Sequence, residues 1–109
     1  MERKKAMISI PMRSHEDFEN HYNELKEKLE GKGYEVLNTI FDFDDVGLVS
    51  SGVVHIPLYY IANSINILSK CDILVLADGW RSARGCLIEA KCAELYGVKL
   101  MEEKDLDKV

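Results

Sequence analysis

Asp72-Ile73-Leu74-Val75-Leu76-Ala77 is an unbroken apolar run behind a single aspartate, and its reading decides the fold. The run has the length of a strand, and a strand that is apolar on both faces must be covered on both faces. That requirement is met by a parallel sheet held between two layers of helices. Just upstream, Leu58, Ile61, Ile65 and Leu68 recur at helical spacing, with Pro57 suited to a first turn and the helix reaching about Lys70. Downstream, Asp78-Gly79-Trp80 reads as a turn, residues 82–96 as a third helix and residues 98–101 as a short last strand. Toward the N-terminus, residues 6–11 read as a buried strand stopped by Pro11, which has no N–H for a ladder. A helix follows from Ser14, with Glu16 and Asp17 in its first turn and capping-box spacing from Ser14 to Asp17. Phe18, Tyr22, Leu25 and Leu29 form its apolar stripe, and Gly31 and Gly33 end it. Residues 34–40 read as a second strand and residues 41–52 as a loop carrying Asp42, Asp44 and Asp45. The charged tail, residues 102–109, reads as frayed.

The alternation of strand and helix predicts an α/β, flavodoxin-like three-layer sandwich. Its parallel sheet has about four strands in the order 2-1-3-4, joined by right-handed crossovers with helices on both faces. One domain is expected over residues 1–109, with its core in about 6–101. In such sheets ligands bind beyond the carboxyl ends of the strands, at the switch point between strands 1 and 3. Here that point sets Ser9, Pro11, Met12 and Arg13 opposite Asp78, Gly79 and Trp80.

Composition narrows the function classes. The 109 residues carry a net charge of −5, which argues against a protein that grips a nucleic-acid backbone, because that task needs a basic face. A small anionic ligand stays compatible, since a few backbone N–H groups can hold one. No apolar run is long enough to cross a bilayer and no signal-peptide pattern follows the basic N-terminus, so a cytoplasmic protein without membrane partners is expected. Cys71, Cys86 and Cys92 form no CxxC pair and read as small, reduced, buried side chains. His15, His21 and His55 lie in other segments, and neither a metal site nor a cofactor is expected.

The third helix holds the informative residues. At about 100° per residue, Ser82, Cys86, Ala90, Ala93 and Gly97 fall on one narrow face of small side chains that can lie tightly on the sheet. Glu89 sits about 60° from the centre of that face, on the shoulder of the buried side, between Gly85 and Ala93. A carboxylate there is costly unless paired or functional, and burial would tune its pKa. Two readings stand side by side: a half-exposed glutamate with a structural hydrogen bond, or a reactive group beside which Gly85 clears room for a ligand. Asp78 either caps the turn or acts as an acid. Trp80 either stacks on a ligand or covers the sheet edge. Arg13 is either solvated or a phosphate partner. On the opposite face, Ile88 and Leu95 join the tyrosines of the preceding helix as a self-association surface, or are isolated exposed apolar residues.

Ile8-Ser9-Ile10-Pro11-Met12 resembles the first loop of the nucleoside 2-deoxyribosyltransferase-like superfamily. So does the stretch from Cys71 to Trp80 followed by Gly85-Cys86-Leu87-Ile88-Glu89, and the likeness is strongest to a branch of short, uncharacterised phage and bacterial proteins. It spans residues 6–101. The resemblance implies a site for a nucleoside or its monophosphate, with Glu89 as the nucleophile at the anomeric carbon, and hydrolysis or transfer of the N-glycosidic bond. It implies ligand contacts from Ser9, Pro11, Met12, Arg13, Trp80 and Gly85, with Ser82 near a 5′-phosphate. It also implies a homo-oligomer, dimer or higher, in which Tyr59, Tyr60 and Asn63 reach a neighbour's site. Asp78 is the expected general acid, with Asp45 behind it. Ile10 stands where relatives usually carry glycine, and Ala83 where a polar residue is usual; both favour an alternative in which the pocket only binds, sequestering or sensing a nucleotide of the ADP-ribose type.

Overall fold

A computed structural model describes residues 3–11, 15–37 and 51–108. Strand β1 (Lys5–Ser9) is followed by helix α1 (His15–Gly31) and strand β2 (Glu35–Val36). Helix α2 (Ile56–Leu68), strand β3 (Ile73–Leu76), helix α3 (Arg84–Leu95) and strand β4 (Lys99–Glu102) complete the framework. The four strands are parallel in the order β2-β1-β3-β4, the expected flavodoxin-like topology. β1 runs beside β3 from Ala6 opposite Ile73 to Ser9 opposite Leu76, and β3 beside β4 from Ile73 opposite Lys99 to Leu76 opposite Glu102.

Strand alternation sorts the core into two clusters. Ala6, Ile8, Ile73, Val75 and Ala77 pack with Tyr22, Leu25 and Leu29 of α1 on one face of the sheet. Met7, Leu74 and Leu76 pack with Leu68 of α2 and Ala90 and Ala93 of α3 on the other. Ser9, two residues beyond Met7, therefore falls on the α3 face. Both central strands are buried on both sides, which is why residues 72–77 read as a continuous apolar run.

The structure departs from the sequence expectations in places that have local causes. Paired β2 is confined to Glu35–Val36, with the Leu37 N–H still donating to the Ala6 carbonyl at 2.9 Å; residues 38–40, the loop aspartates Asp42, Asp44 and Asp45, the cap Ser14, and Met12 and Arg13 lie outside the described residues. Leu58 in α2 is 61% exposed rather than part of a buried stripe. The third helix starts at Arg84, not Ser82, because Trp80–Ser82 first forms a 3-10 turn. Gly79 opens that turn at φ +89°, a backbone conformation that a side chain disfavours. The Ser82 hydroxyl closes it by donating to the Gly79 carbonyl at 2.7 Å. Asp78 caps neither this turn nor α3, whose N-caps are Gly79 and Ala83.

The tail is the clearest correction. Glu102 ends β4, and Glu103–Lys108 forms a 3-10 segment rather than a frayed end. Leu106 inserts into the α1-side core with 1% exposure, and Glu103 binds His21 of α1. One apolar residue among charges gives no periodic signal, yet a buried leucine contributes about 1.5–3 kcal/mol.

Candidate functional site

β1 delivers Ser9 to the carboxyl edge of the sheet, and α3 packs on the adjoining face with Cys86, Glu89, Ala90 and Ala93 buried. The small residues let α3 lie close to β1 and β3, as the narrow face predicts. The close approach carries Glu89 inward, leaving it 6% exposed. The Ser9 hydroxyl, itself 1% exposed, donates to Glu89 Oε1 at 2.9 Å. This is a side-chain bond across eighty residues of chain, between the switch-point strand and the helix that follows the central apolar run.

Burial pushes the Glu89 carboxyl up from 4.5 to about 7, while the Ser9 hydrogen bond pulls the other way by favouring the carboxylate. Near neutrality Glu89 therefore populates both protonation states, which suits general acid–base work. Cys86 lies one helical turn before Glu89. Burial first, and the Glu89 charge after it, push its thiol up, with Ser9 opposing. A raised pKa leaves the Cys86 thiol little ionised at neutral pH. Cys71 and Cys92 are half-buried rather than buried, and burial pushes the Cys71 thiol up to about 11.

Replacing Ser9 with alanine removes the donor that, among the described residues, favours ionised Glu89. The Ser9→Ala chain is expected to show a Glu89 carboxyl titrating above that of the unmodified protein, with about 1 kcal/mol lost from stability. Carbon-13 NMR of the side-chain carboxyl measures this, and an unchanged or lower titration midpoint contradicts it.

The other expected site residues occupy varied positions. Pro11 is buried just past β1. Asp78 is exposed at the end of β3, with its backbone N–H donating to Glu103 Oε1 at 2.9 Å. Trp80 packs against the α2/α3-side core, its indole N–H donates to Glu102 Oε1 at 3.2 Å, and Arg81 lies 5.0 Å over its ring. Ser82 is exposed and bonded back to Gly79. A Cβ on Gly85 would lie 3.0 Å from Ile61 Cδ1, so the room beside this glycine receives the tip of an α2 side chain. On α2, Tyr59 is exposed, Tyr60 and Asn63 are half-buried, and the two tyrosine rings meet edge to face at 5.9 Å.

The sequence reading missed Cys86 as a neighbour of the carboxyl, and Glu102 and Glu103 as partners of the turn. The first was recoverable, because residues three apart on a helix share a face and a strand residue that reaches one reaches the other. The second was not, because nothing in a charged tail announces where it docks.

No curated protein and no solved structure matches the chain. Residues 4–102 do match a family described as a domain of unknown function, DUF4406. That span covers the whole sheet, Ser9, Glu89 and the turn between β3 and α3, and the chain belongs to this family.

Proposed function

We propose that the protein binds a nucleoside or nucleoside monophosphate at the carboxyl edge of its sheet and hydrolyses or transfers the N-glycosidic bond. The supporting observation is Glu89: an acidic side chain 6% exposed, held by Ser9 at the switch point where α/β sheets bind ligands. The resemblance to the nucleoside 2-deoxyribosyltransferase-like superfamily supplies the reaction. Ser9 holds Oε1, and Oε2 attacks the anomeric carbon as the bond to the base breaks. The base leaves with a proton from a general acid, for which Asp78 at the end of β3 is the candidate. Water or a second base then attacks the same carbon and frees Glu89. The low-polarity surroundings that raise the Glu89 pKa also strengthen its interaction with positive charge developing on the sugar.

A partner of the same kind completes this reading. Helix α2 contains no charged residue, and of its thirteen positions Leu68 alone is buried within the chain. A second copy, set against this helix, would bring Tyr59, Tyr60 and Asn63 toward a neighbouring site. Sedimentation showing a monomer at working concentrations would remove that part of the proposal.

The alternative is a pocket that binds without turnover, favoured by Ile10 and Ala83 at positions where the resembled superfamily usually carries glycine and a polar residue; Ile61, which meets the space beside Gly85, counts against a sugar seated there in either reading. The experiment that separates the two incubates the protein with a panel of nucleosides, nucleoside monophosphates and ADP-ribose. It follows both melting temperature and free base. A rise in melting temperature with base released supports the enzyme. A rise with the ligand recovered intact replaces it with the binding module, and no rise with any member sinks both.

A further inference from the structure

Glu102 and Glu103 are consecutive, and strand geometry turns them to opposite faces at the carboxyl end of β4. Met101, one residue earlier, packs against the α1-side core. Glu102 accordingly reaches the α2/α3 side, where Oε1 accepts from the Trp80 indole at 3.2 Å and Arg81 and Lys104 lie at 3.8 and 3.6 Å. Glu103 turns back toward α1. There one oxygen, Oε1, accepts from His21 Nε2–H at 2.6 Å and from the Asp78 backbone N–H at 2.9 Å. Leu106, buried in the same core, anchors the segment that carries it.

The two carboxylates thus hold the connection between β3 and α3 at two points, Asp78 at its start and Trp80 two residues on. That connection sets where α3 begins and so how Glu89 meets Ser9. Its own sequence is poorly suited to rigidity: Gly79 sits at positive φ, and the N-cap of α3, Ala83, provides no side-chain cap. Charge-assisted bonds to a backbone N–H are among the stronger ones in a protein, and here they come from a segment with a buried anchor.

We propose that Glu103, with Glu102 beside it, is a positioning residue for the Glu89 site: it fixes the turn at Asp78–Trp80 and, through that turn, the seating of α3 on β1. The functional consequence rests on the reading of Glu89 as a ligand-facing carboxyl, but the seating of α3 does not. The test therefore uses the full chain without any ligand. Two signals are followed by NMR, hydrogen exchange at the Asp78 amide and titration of the Glu89 carboxyl.

In Glu103→Ala the Asp78 amide is expected to exchange about tenfold faster or more, given the strength of hydrogen bonds to charged groups. The Glu89 midpoint is expected to fall from about 7 toward 4.5 as α3 loosens and water reaches the carboxyl. Glu103→Gln keeps an acceptor oxygen and is expected to restore most of both signals. His21→Ala, which leaves Glu103 bonded to Asp78 but without its His21 partner, is expected to give the same pattern at smaller size, and it decides the matter should Glu103→Ala not fold. Faster exchange spread evenly along the chain, with the Glu89 midpoint unmoved, would show that the segment adds only general stability and overturn the proposal. Because neither signal needs a nucleotide, failure of the nucleoside reading and failure of this one are separate results.

Discussion

Glu89→Gln is expected to lower base release from nucleoside substrates by about a thousandfold or more, with the fold and ligand binding retained. Removing the nucleophile of a covalent mechanism typically costs several orders of magnitude, because the neighbouring groups have nothing left to assist. Glutamine suits the test because its shape matches and its side-chain carbonyl still accepts from Ser9, which donates at 2.9 Å in the native protein. A residual rate within about tenfold of the unmodified protein would mean that Glu89 does not attack the sugar, since such a loss is within reach of a single perturbed hydrogen bond. The pH profile supplies a second reading of the same group. The attacking form is the carboxylate, so turnover is expected to rise with pH through the Glu89 midpoint near 7.

The protein is expected to lose stability as pH rises from about 4.5 to about 8, by roughly 3 kcal/mol from Glu89 alone. The sign follows from proton counting. The folded carboxyl titrates near 7 and the unfolded one near 4.5, so between those values the folded state binds more protons and stability falls with rising pH. The contribution is fully present below about 4.5, is lost through about 7, and is flat above; the interval at 1.36 kcal/mol per pH unit gives roughly 3 kcal/mol. Glu102 acts in the opposite sense and at lower pH. Its carboxyl is held below the usual range, first by the Trp80 indole N–H, so its contribution is lost as pH falls. The comparison is with Glu89→Gln, which keeps every other titratable group. Denaturant unfolding at both ends of the window should show the slope in the native protein and lose most of it in Glu89→Gln. Parallel curves for the two proteins would mean that the carboxyl is solvated.

The sheet was legible because its central strands are buried on both faces, and the run Ile73–Leu76 carries no polar residue to confuse the pattern. The small-residue face of α3 was legible for a related reason: Cys86, Ala90 and Ala93 recur at a spacing that only a helix lying close to the sheet requires. That face placed Glu89 on the shoulder of the buried side, but between a half-exposed and a buried carboxyl only the structure decided. Its partner was not legible, because Ser9 is one polar residue in an apolar strand, and the register that brings it to Glu89 arises from strand pairing far along the chain. Gly85 was read as room for a ligand, and a neighbour from α2 meets that room, a contact between two helices that periodicity within either one does not encode. Leu106 and Glu103 were hidden for the same reason, since each is defined by where a short segment docks and not by any local pattern.

Buried charge is the physical basis of the account, and the resonance of one carboxyl carbon reports it. With carbon-13 in the glutamate side chains, the Glu89 signal should titrate near 7 in the free protein. It should also shift, with a changed midpoint, on addition of the panel member that most raises the melting temperature. A midpoint near 4.5, or a signal that ignores a ligand bound at saturation, would contradict the claim that this carboxyl faces a nucleoside.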